Sequence, residues 1–317
     1  MKKDYVIISG SRNKALAFDI AKGLNKQLSQ VEFRIFPNKE QNVHIKESIE
    51  GKRAYIIQSL SENPDSALME FLLLADAAKN AGATEIIGII PWLAYSPQDK
   101  IFRPGEPLSS RLVAKTIKAA GFKKVFLLDL HSSLNEKYFL DLGIKVNHLS
   151  ALEIFADFFE SQAKASLKKD WIVLCIDQGA RKRSRKLAQK LNLEMVCLKK
   201  NRDLSTGKVD FKDFSANIKG RKIVAFDDFV STAGSLVKAS QMLKKLGVKK
   251  IVNFITHGLL CPGSISKIKQ SQIDKLYLTD SYPIGPKKRI SKIKVLSCAP
   301  LFIKSVRENE KSSTKQE

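Results

Sequence analysis

Short runs of apolar residues alternate with amphipathic segments along almost the whole chain of 317 residues. A short apolar run bounded by turn residues is typical of a buried strand, and apolar positions at helical spacing follow most of these runs. The predicted strands are Tyr5–Ser9, Phe33–Phe36, Ala54–Gln58, Ile86–Ile90, Val125–Leu128, Trp171–Ile176, Met195–Leu198, Ile223–Phe226 and Ile251–Ile255. Strands that alternate with helices form parallel sheets with helices on both faces. The pattern therefore predicts an α/β protein of two tandem doubly wound domains with mainly parallel sheets.

The boundary between the two domains is predicted near Leu149. Ser150 and Glu153 have the spacing of a capping box, which marks the start of a new helix. The segment after Arg307, ENEKSSTKQE, has no apolar residue and is expected to be disordered. The predicted organisation is an N-terminal domain over 1–149, a C-terminal domain over 150–306 and a disordered tail over 307–317.

Composition narrows the class of protein further. The chain has 55 Lys and Arg against 32 Asp and Glu, a formal net charge of +23, but these lysines are spread along the chain. Scattered basic residues indicate a solvated surface rather than a specific nucleic-acid site. No run of eighteen apolar residues and no metal-type spacing of the four cysteines is present, so we expect a cytoplasmic protein without a membrane segment.

The segment Ala225–Leu236, AFDDFVSTAGSL, carries the most specific chemical signal. A buried strand delivers Asp227 and Asp228 into a turn rich in small and hydroxyl residues, after which apolar positions at helical spacing begin. Amides at a helix N-terminus attract a phosphate, and Gly234 allows a close backbone approach. The two acids can accept hydrogen bonds from ribose hydroxyls or help to hold a magnesium ion. The alternative is a capped helix with two solvated acids.

Two further strand ends carry candidate residues, because ligands of open parallel sheets collect beyond the carboxyl ends of the strands. Asp129 and His131 are two residues apart and are expected on the same side of an extended chain, where they can bind a divalent ion. Asp177 lies at the next such end, before the basic run Arg181–Arg183. Basic residues oppose the helix dipole at that position, which indicates either an anionic partner or a solvated surface.

The remaining candidates lie on loops. Lys200 and Arg202 lead into Asn201–Lys219, a segment that predicts a mobile loop with at most a short hairpin, and cations on such a loop can neutralise a triphosphate. The loops Phe36–Glu40 and Pro91–Lys100 carry aromatic and amide groups that can hold a purine. Charged residues of this kind are also common on a solvated surface, and these aromatic residues are equally common in a core.

Taken together, these segments resemble the ribose-phosphate diphosphokinase family. The resemblance covers roughly residues 4 to 306 and is carried, in order, by FPNKEQNV, PWLAYSPQDK, FRPGEPLSSRLVAK, LDLH, IDQGA, KNR, FDDFVSTAGS and THGLL. It implies two phosphoribosyltransferase-like domains in a homo-oligomer, and transfer of the diphosphoryl group of ATP to O1 of ribose 5-phosphate with release of AMP. It also implies Mg²⁺ as the cofactor and an ATP site shared between subunits.

The resemblance assigns a role to each candidate. It implies metal binding by Asp129, His131 and Asp177, and catalysis by Lys200 and Arg202. The implied ribose 5-phosphate site consists of Asp227, Asp228, Ser231, Thr232, Ala233, Gly234 and Ser235. The implied ATP-binding residues are Phe36, Asn38, Glu40, Gln98 and Asp99.

Two positions depart from the family pattern. Pro97 stands where the family usually has an arginine that contacts ATP, and Ser231 stands where the synthetases usually have an aspartate. These departures motivate an alternative, in which the chain is a non-catalytic paralogue that regulates a true synthetase.

Overall fold

The computed structural model describes residues 4–162, 165–175, 179–197, 200–202, 209–211 and 218–313. The chain divides into two compact units. Unit 1 contains Met1–Ser150, Ser281–Pro283 and Ser297–Glu317, and unit 2 contains Ala151–Asp280 and Ile284–Leu296. The first division lies one residue from the predicted boundary, and two later segments of the chain return to unit 1.

The secondary structure alternates between strands and helices along the chain. The strands are β1 (Tyr5–Ser9), β2 (Val31–Ile35), β3 (Gln41–Ile45), β4 (Arg53–Ile57), β5 (Glu85–Ile90), β6 (Lys124–Leu128), β7 (Lys145–Leu149), β8 (Trp171–Cys175), β9 (Glu194–Cys197), β10 (Lys200–Arg202), β11 (Val209–Phe211), β12 (Lys222–Val230), β13 (Lys250–Gly258), β14 (Lys275–Thr279) and β15 (Ile293–Leu296). The α-helices are α1 (Lys14–Gly23), α2 (Pro64–Asn80), α3 (Ser109–Ala119), α4 (Ser133–Leu140), α5 (Leu152–Gln162), α6 (Arg181–Leu191), α7 (Gly234–Lys245), α8 (Ser264–Gln270) and α9 (Ala299–Ser313). Over the described residues, no helix is both long and apolar enough to span a bilayer.

Unit 1 is built on a parallel sheet with the strand order β1-β4-β5-β6-β7. Successive side chains of a strand point to opposite faces, and β4 follows this rule. Ala54 and Ile56 pack into the apolar cluster that includes α2, α3 and α4, whereas the Tyr55 hydroxyl on the other face accepts a hydrogen bond from Asn309 of α9 at 2.6 Å. Helices therefore cover both faces of this sheet.

Two features of unit 1 differ from the sequence predictions. The predicted strand Phe33–Phe36 overlaps β2, which ends at Ile35 and pairs with β3 as a separate antiparallel hairpin outside the main sheet. The prediction of a disordered tail from residue 307 is wrong over 307–313, because α9 continues to Ser313. Polar contacts hold the end of this helix: Glu310 accepts hydrogen bonds from Arg53 and Tyr55.

Unit 2 contains a parallel sheet with the strand order β15-β14-β13-β12-β8-β9. On one face, Phe155 of α5 packs against Phe226 and Phe254, with ring centroids 5.6 and 4.9 Å away. On the other face, Leu243 of α7 shares an apolar cluster with Ile223 of β12. The predicted α/β class with mainly parallel sheets is confirmed.

The strand order of unit 2 reverses between β8 and β12. From β8 the chain proceeds outwards to β9, and it then crosses to β12 on the other side of β8. Such a reversal opens a crevice at the carboxyl ends of the two strands, where ligands of open α/β sheets bind. This crevice lies beside Asp227 and Asp228 on β12.

Candidate functional site

The turn between β12 and α7 forms the centre of the candidate site. The strand extends beyond the predicted Phe226 to Val230, so that Asp227 and Asp228 lie within its last residues. As predicted, a helix begins directly after the turn, at Gly234. The side chain of Asp228 is 5% exposed and that of Asp227 is 33% exposed, so the second acid is almost entirely removed from solvent and the first borders it.

The start of α7 has the features of an anion-binding helix N-terminus. Ala233 precedes the helix with φ 60° and ψ 6°, and no side chain caps the helix there. The first turn contains no acidic residue that would repel an anion. Among the described residues, a Cβ at Gly234 would meet only Thr232 Oγ1, at 3.7 Å, so this part of the chain leaves space in front of the backbone. The backbone amides and the helix dipole together favour a phosphate group at this position.

A neighbouring segment, Leu259–Cys261, supports the turn from behind. The amides of Leu259 and Leu260 donate to the carbonyl of Val230 at 3.0 and 3.2 Å, and the amide of Cys261 donates to the carbonyl of Ser231 at 3.0 Å. The Ser231 hydroxyl lies 3.1 Å from the sulfur of Cys261. In the sequence, the motif THGLL, which precedes Cys261, is the signal of this support.

The two acids share one cationic partner. Nη1 of Arg183 lies 3.3 Å from Oδ1 of Asp227, and Nη2 lies 3.2 Å from Oδ2 of Asp228. The backbone amide of Asp228 donates to Oδ1 of Asp227 at 2.9 Å. Burial, followed by the neighbouring charge of Asp228, raises the pKa of Asp227 from 3.8 to about 8, and Arg183 acts in the opposite direction. The pair therefore places two carboxyl groups at close range, and both contact the guanidinium of Arg183.

The predicted metal pair follows β6, but its geometry differs from the expectation. The strand ends at Leu128, and Asp129 adopts a left-handed backbone with φ 34°. The sequence prediction assumed an extended chain, in which Asp129 and His131 would lie on the same side. That assumption is wrong, because the backbone is not extended at Asp129. The Asp129 carboxylate is buried and accepts a hydrogen bond from the Ser150 hydroxyl at 2.7 Å. His131 is half-buried.

No group of three or more His, Cys, Asp or Glu side chains that could hold a metal ion occurs among the described residues. The third predicted ligand, Asp177, lies outside the described residues. Only Asp129 and His131 of the three can therefore be placed.

His148 fixes the backbone beside the predicted metal pair. Its Nε2 accepts a hydrogen bond from the amide of Leu130 at 3.1 Å, and its Nδ1 lies 3.3 Å from Oε2 of Glu136. An Nε2 that accepts leaves the proton on Nδ1, which then donates to Glu136. These contacts are those of a structural residue.

The first predicted nucleotide loop is the exposed tip of the β2–β3 hairpin. The amide of Phe36 donates to the carbonyl of Glu40 at 2.8 Å, and the amide of Glu40 donates to Oδ1 of Asn38 at 3.2 Å. The guanidinium of Arg34 lies 5.0 Å from the centre of the Phe36 ring. The tip is thus an ordered turn that presents one aromatic ring.

The second predicted nucleotide loop is anchored at the start of α3. The Ser109 hydroxyl donates to Oε1 of Gln98 at 2.6 Å, and the Ser110 amide donates to the carbonyl of Gln98 at 3.2 Å. The hydroxyl of Tyr138 donates to the carbonyl of Asp99 at 2.8 Å. Asp99 is buried, whereas Gln98 is exposed.

The predicted catalytic residues belong to a short hairpin. β10 pairs with β11 in antiparallel register, with Lys200 opposite Phe211 and Arg202 opposite Val209. The prediction for this segment allowed a short hairpin of this kind. The side chains of Lys200 and Arg202 lie outside the described part of the chain.

Three family models match the chain. Residues 5–121 match the N-terminal domain of ribose phosphate pyrophosphokinase, residues 145–259 match a phosphoribosyl transferase domain, and residues 204–315 match a phosphoribosyl synthetase-associated domain. The matches together extend over both units.

Curated relatives and a solved structure agree with these models. A ribose-phosphate pyrophosphokinase of Caldanaerobacter subterraneus is 35% identical over 300 residues, which cover 95% of this chain and 93% of the relative. A ribose-phosphate pyrophosphokinase of Aquifex aeolicus is 34% identical over 308 residues, covering 97% of this chain and 96% of the relative. The crystal structure of phosphoribosylpyrophosphate synthetase from Mycobacterium smegmatis superimposes with a TM-score of 0.89 at 28% identity and covers 98% of this chain and 100% of that chain.

Proposed function

The chain belongs to the ribose-phosphate pyrophosphokinase family, and we propose that it transfers the diphosphoryl group of ATP to O1 of ribose 5-phosphate. The products are 5-phosphoribosyl 1-diphosphate and AMP. The protein is therefore a transferase of nucleotide biosynthesis. The comparisons offer no evidence for the alternative of a non-catalytic regulatory paralogue.

The observation that carries this proposal is the junction of β12 and α7. Asp227 and Asp228 precede a turn that leads into an uncapped helix. Carboxyl groups that can accept hydrogen bonds from hydroxyls therefore lie within a few residues of amides that can donate hydrogen bonds to a phosphate. Ribose 5-phosphate has vicinal hydroxyls at one side and a phosphate at the other. The acids accept hydrogen bonds from the hydroxyls, and the turn from Ser231 to Ser235 binds the phosphate through its amides and hydroxyls.

Little covalent work is needed from the protein in this reaction. An anionic donor and a sugar hydroxyl must be held in line, so positioning and charge neutralisation supply most of the acceleration. The site on unit 2 positions the sugar. Lys200 and Arg202, on β10 of the same unit, supply positive charge for the oxygens of the transferred group.

The donor set after β6 fits a magnesium ion. Mg²⁺ usually keeps several waters and binds one or two protein carboxylates together with substrate phosphates. Asp129 offers a carboxylate, and we propose that His131 joins it in binding the metal. Asp177 lies outside the described residues and keeps the metal-binding role that the resemblance implies. A magnesium ion held by these residues would supply charge that screens the triphosphate and would make the attacked phosphoryl group more electrophilic.

The loops of unit 1 are proposed to hold the adenine nucleotide. Phe36, Asn38 and Glu40 offer a ring and polar groups at the hairpin tip, and Gln98 and Asp99 lie on the loop anchored to α3. We also propose that the protein is a cytoplasmic homo-oligomer whose ATP site is shared between subunits. This follows the expectation from the sequence.

The activity is tested by mixing the protein with ATP, Mg²⁺ and ribose 5-phosphate and measuring AMP by chromatography. AMP that appears only when the sugar is present supports the proposal. AMP formed equally without the sugar would indicate a nucleotide hydrolase, and a folded protein that forms no AMP would contradict the assignment. A matched control is Asp228→Asn, which keeps the shape of the acid and should lose most of the sugar-dependent signal.

A further inference from the structure

Arg183 makes a forked contact that none of the assigned roles explains. Its two terminal nitrogens each engage a different acid of the sugar site, and the side chain is 18% exposed. A planar guanidinium holds its donors in fixed directions, so one arginine that binds two carboxylates also fixes their relative orientation. This is a geometric constraint on the residues proposed to receive the ribose hydroxyls.

The fold explains why an arginine from α6 reaches β12. β8 and β12 are parallel neighbours, with Leu174 opposite Ala225, and α6 is the helix that follows β8. The start of α6 therefore lies across the crevice from the end of β12. Residues 183 and 227 are far apart in sequence, yet they meet where the strand order reverses.

The start of α6 is also electrostatically unusual. Arg181, Lys182 and Arg183 occupy its first turn, no acidic residue accompanies them, and no side chain caps the helix. Cations at this end oppose the helix dipole. Arg181 and Lys182 are exposed to solvent, whereas Arg183 is directed at the acids of β12. For Arg183, the anionic partner predicted from the sequence is thus within the protein itself.

We propose that Arg183 is a positioning residue of the sugar site, which holds Asp227 and Asp228 in the arrangement that receives two vicinal hydroxyls of the pentose. Arg183 acts on the sugar through the two carboxyl groups, and the turn before α7 binds the phosphate. This inference rests on the proposed function, since it concerns the same sugar site.

Electrostatics agrees with this role. Burial and the adjacent Asp228 raise the pKa of Asp227, and the guanidinium counteracts this rise. Removing Arg183 would leave the two crowded carboxyl groups without the guanidinium that orients them, so they would reorient. A carboxyl oxygen that accepts a hydrogen bond from a ribose hydroxyl would then be lost or displaced. A displacement of about 1 Å can lower the rate of an enzyme by about 100-fold.

The test compares Arg183→Met with Arg183→Lys and with the control Arg185→Met. Arg185 is on the same helix and is exposed, so its replacement removes a charge without touching the acids. Binding of ribose 5-phosphate and of 2-deoxyribose 5-phosphate is measured by calorimetry, and steady-state kinetics gives KM for each substrate. Arg183→Lys keeps the positive charge but has one terminal nitrogen in place of two. It therefore tests the two-pronged contact even if Arg183→Met does not fold.

We expect Arg183→Met to weaken ribose 5-phosphate binding by about 10- to 100-fold and to leave KM for ATP within about 2-fold. Arg183→Lys should recover part of this loss, and Arg185→Met should match the wild type. The preference for ribose over the 2-deoxy sugar should narrow in Arg183→Met, because the deoxy sugar lacks one of the two hydroxyls.

If Arg183→Met weakened the binding of both sugars and of ATP equally, Arg183 would have a general structural role and the inference would be overturned. Unchanged sugar binding in Arg183→Met would also overturn it. A wild type that binds no ribose 5-phosphate also overturns it. A wild type that binds the sugar but forms no AMP contradicts the proposed activity alone, and the variants then still decide the role of Arg183.

Discussion

Arg53 at the start of β4 and Glu310 near the end of α9 form a buried ion pair, with side chains only 7% and 16% exposed. Tyr55 donates a second hydrogen bond to the same carboxylate, and burial raises the pKa of Glu310. The last helix is therefore fastened to the sheet of unit 1 by polar contacts.

Truncation tests this attachment. A chain that ends at Arg307 loses Glu310 and so breaks its buried ion pair with Arg53, and the loss of one partner of such a pair typically costs about 3–5 kcal/mol. We expect the melting temperature, followed by circular dichroism, to fall by roughly 10 °C. A chain that ends at Ser313 keeps the ion pair and serves as the control. Equal melting temperatures for the two chains would contradict the attachment.

The sequence predicted the strands better than the last helix, and the reason is physical. Tyr5–Ser9 has a clear apolar run and was predicted with the observed limits. The segment after Arg307 offers no apolar residue, and its order depends on partners such as Arg53 and Tyr55, which are distant in sequence. Order of that kind leaves no local periodic signal.

The same limit applies to the site. The turn from Asp227 to Ser235 was recognisable because its residues are adjacent in the chain. The contact between Arg183 and Asp227 depends on the neighbouring position of β8 and β12, which periodicity does not specify. The left-handed backbone of Asp129 was also missed, since a single strand-end residue gives no pattern.

Because the pKa of Asp227 is raised in the folded protein, the free energy of unfolding should decrease as the pH rises. Between its ordinary 3.8 and the folded value of about 8, the folded protein holds a proton that the unfolded chain has released. This stabilising contribution is fully present below the lower value and is lost as the pH rises through the higher one. Asp227→Asn removes the titrating group, so we expect it to melt roughly 2–4 °C above the wild type at about pH 9.

The difference between Asp227→Asn and the wild type should shrink towards about pH 5, where the wild-type acid is protonated in the folded state. Melting curves of both proteins across this range provide the measurement. A difference that stays constant with pH would contradict the raised pKa.

Ala233 should be sensitive to branched replacements, because it is buried and its backbone lies in the left-handed region. A β-branched residue is strained there, so Ala233→Val should distort the turn and raise KM for ribose 5-phosphate by about 10-fold or more. Ala233→Gly tolerates the conformation and should stay within about 3-fold of the wild type. Steady-state kinetics with varied sugar separates these outcomes, and equal effects of both variants would argue against backbone strain.

Pro97 tests the nucleotide loop. It lies in a turn closed by the amide of Gln98, which donates to the carbonyl of Tyr95 at 3.0 Å. Pro97→Arg adds the guanidinium donors that the family resemblance implies at this position, so we expect the apparent KM for ATP to fall by about 3- to 10-fold. Pro97→Ala separates the loss of proline from the gain of arginine. If both variants bind ATP alike, the arginine contact has no role here.

The most direct test of the sugar site is a crystal structure of the protein with ribose 5-phosphate bound. We expect the phosphate to lie on the amides at the start of α7 and the ribose hydroxyls to lie within hydrogen-bond distance of Asp227 and Asp228. A sugar bound elsewhere, with the β12–α7 turn empty, would contradict it.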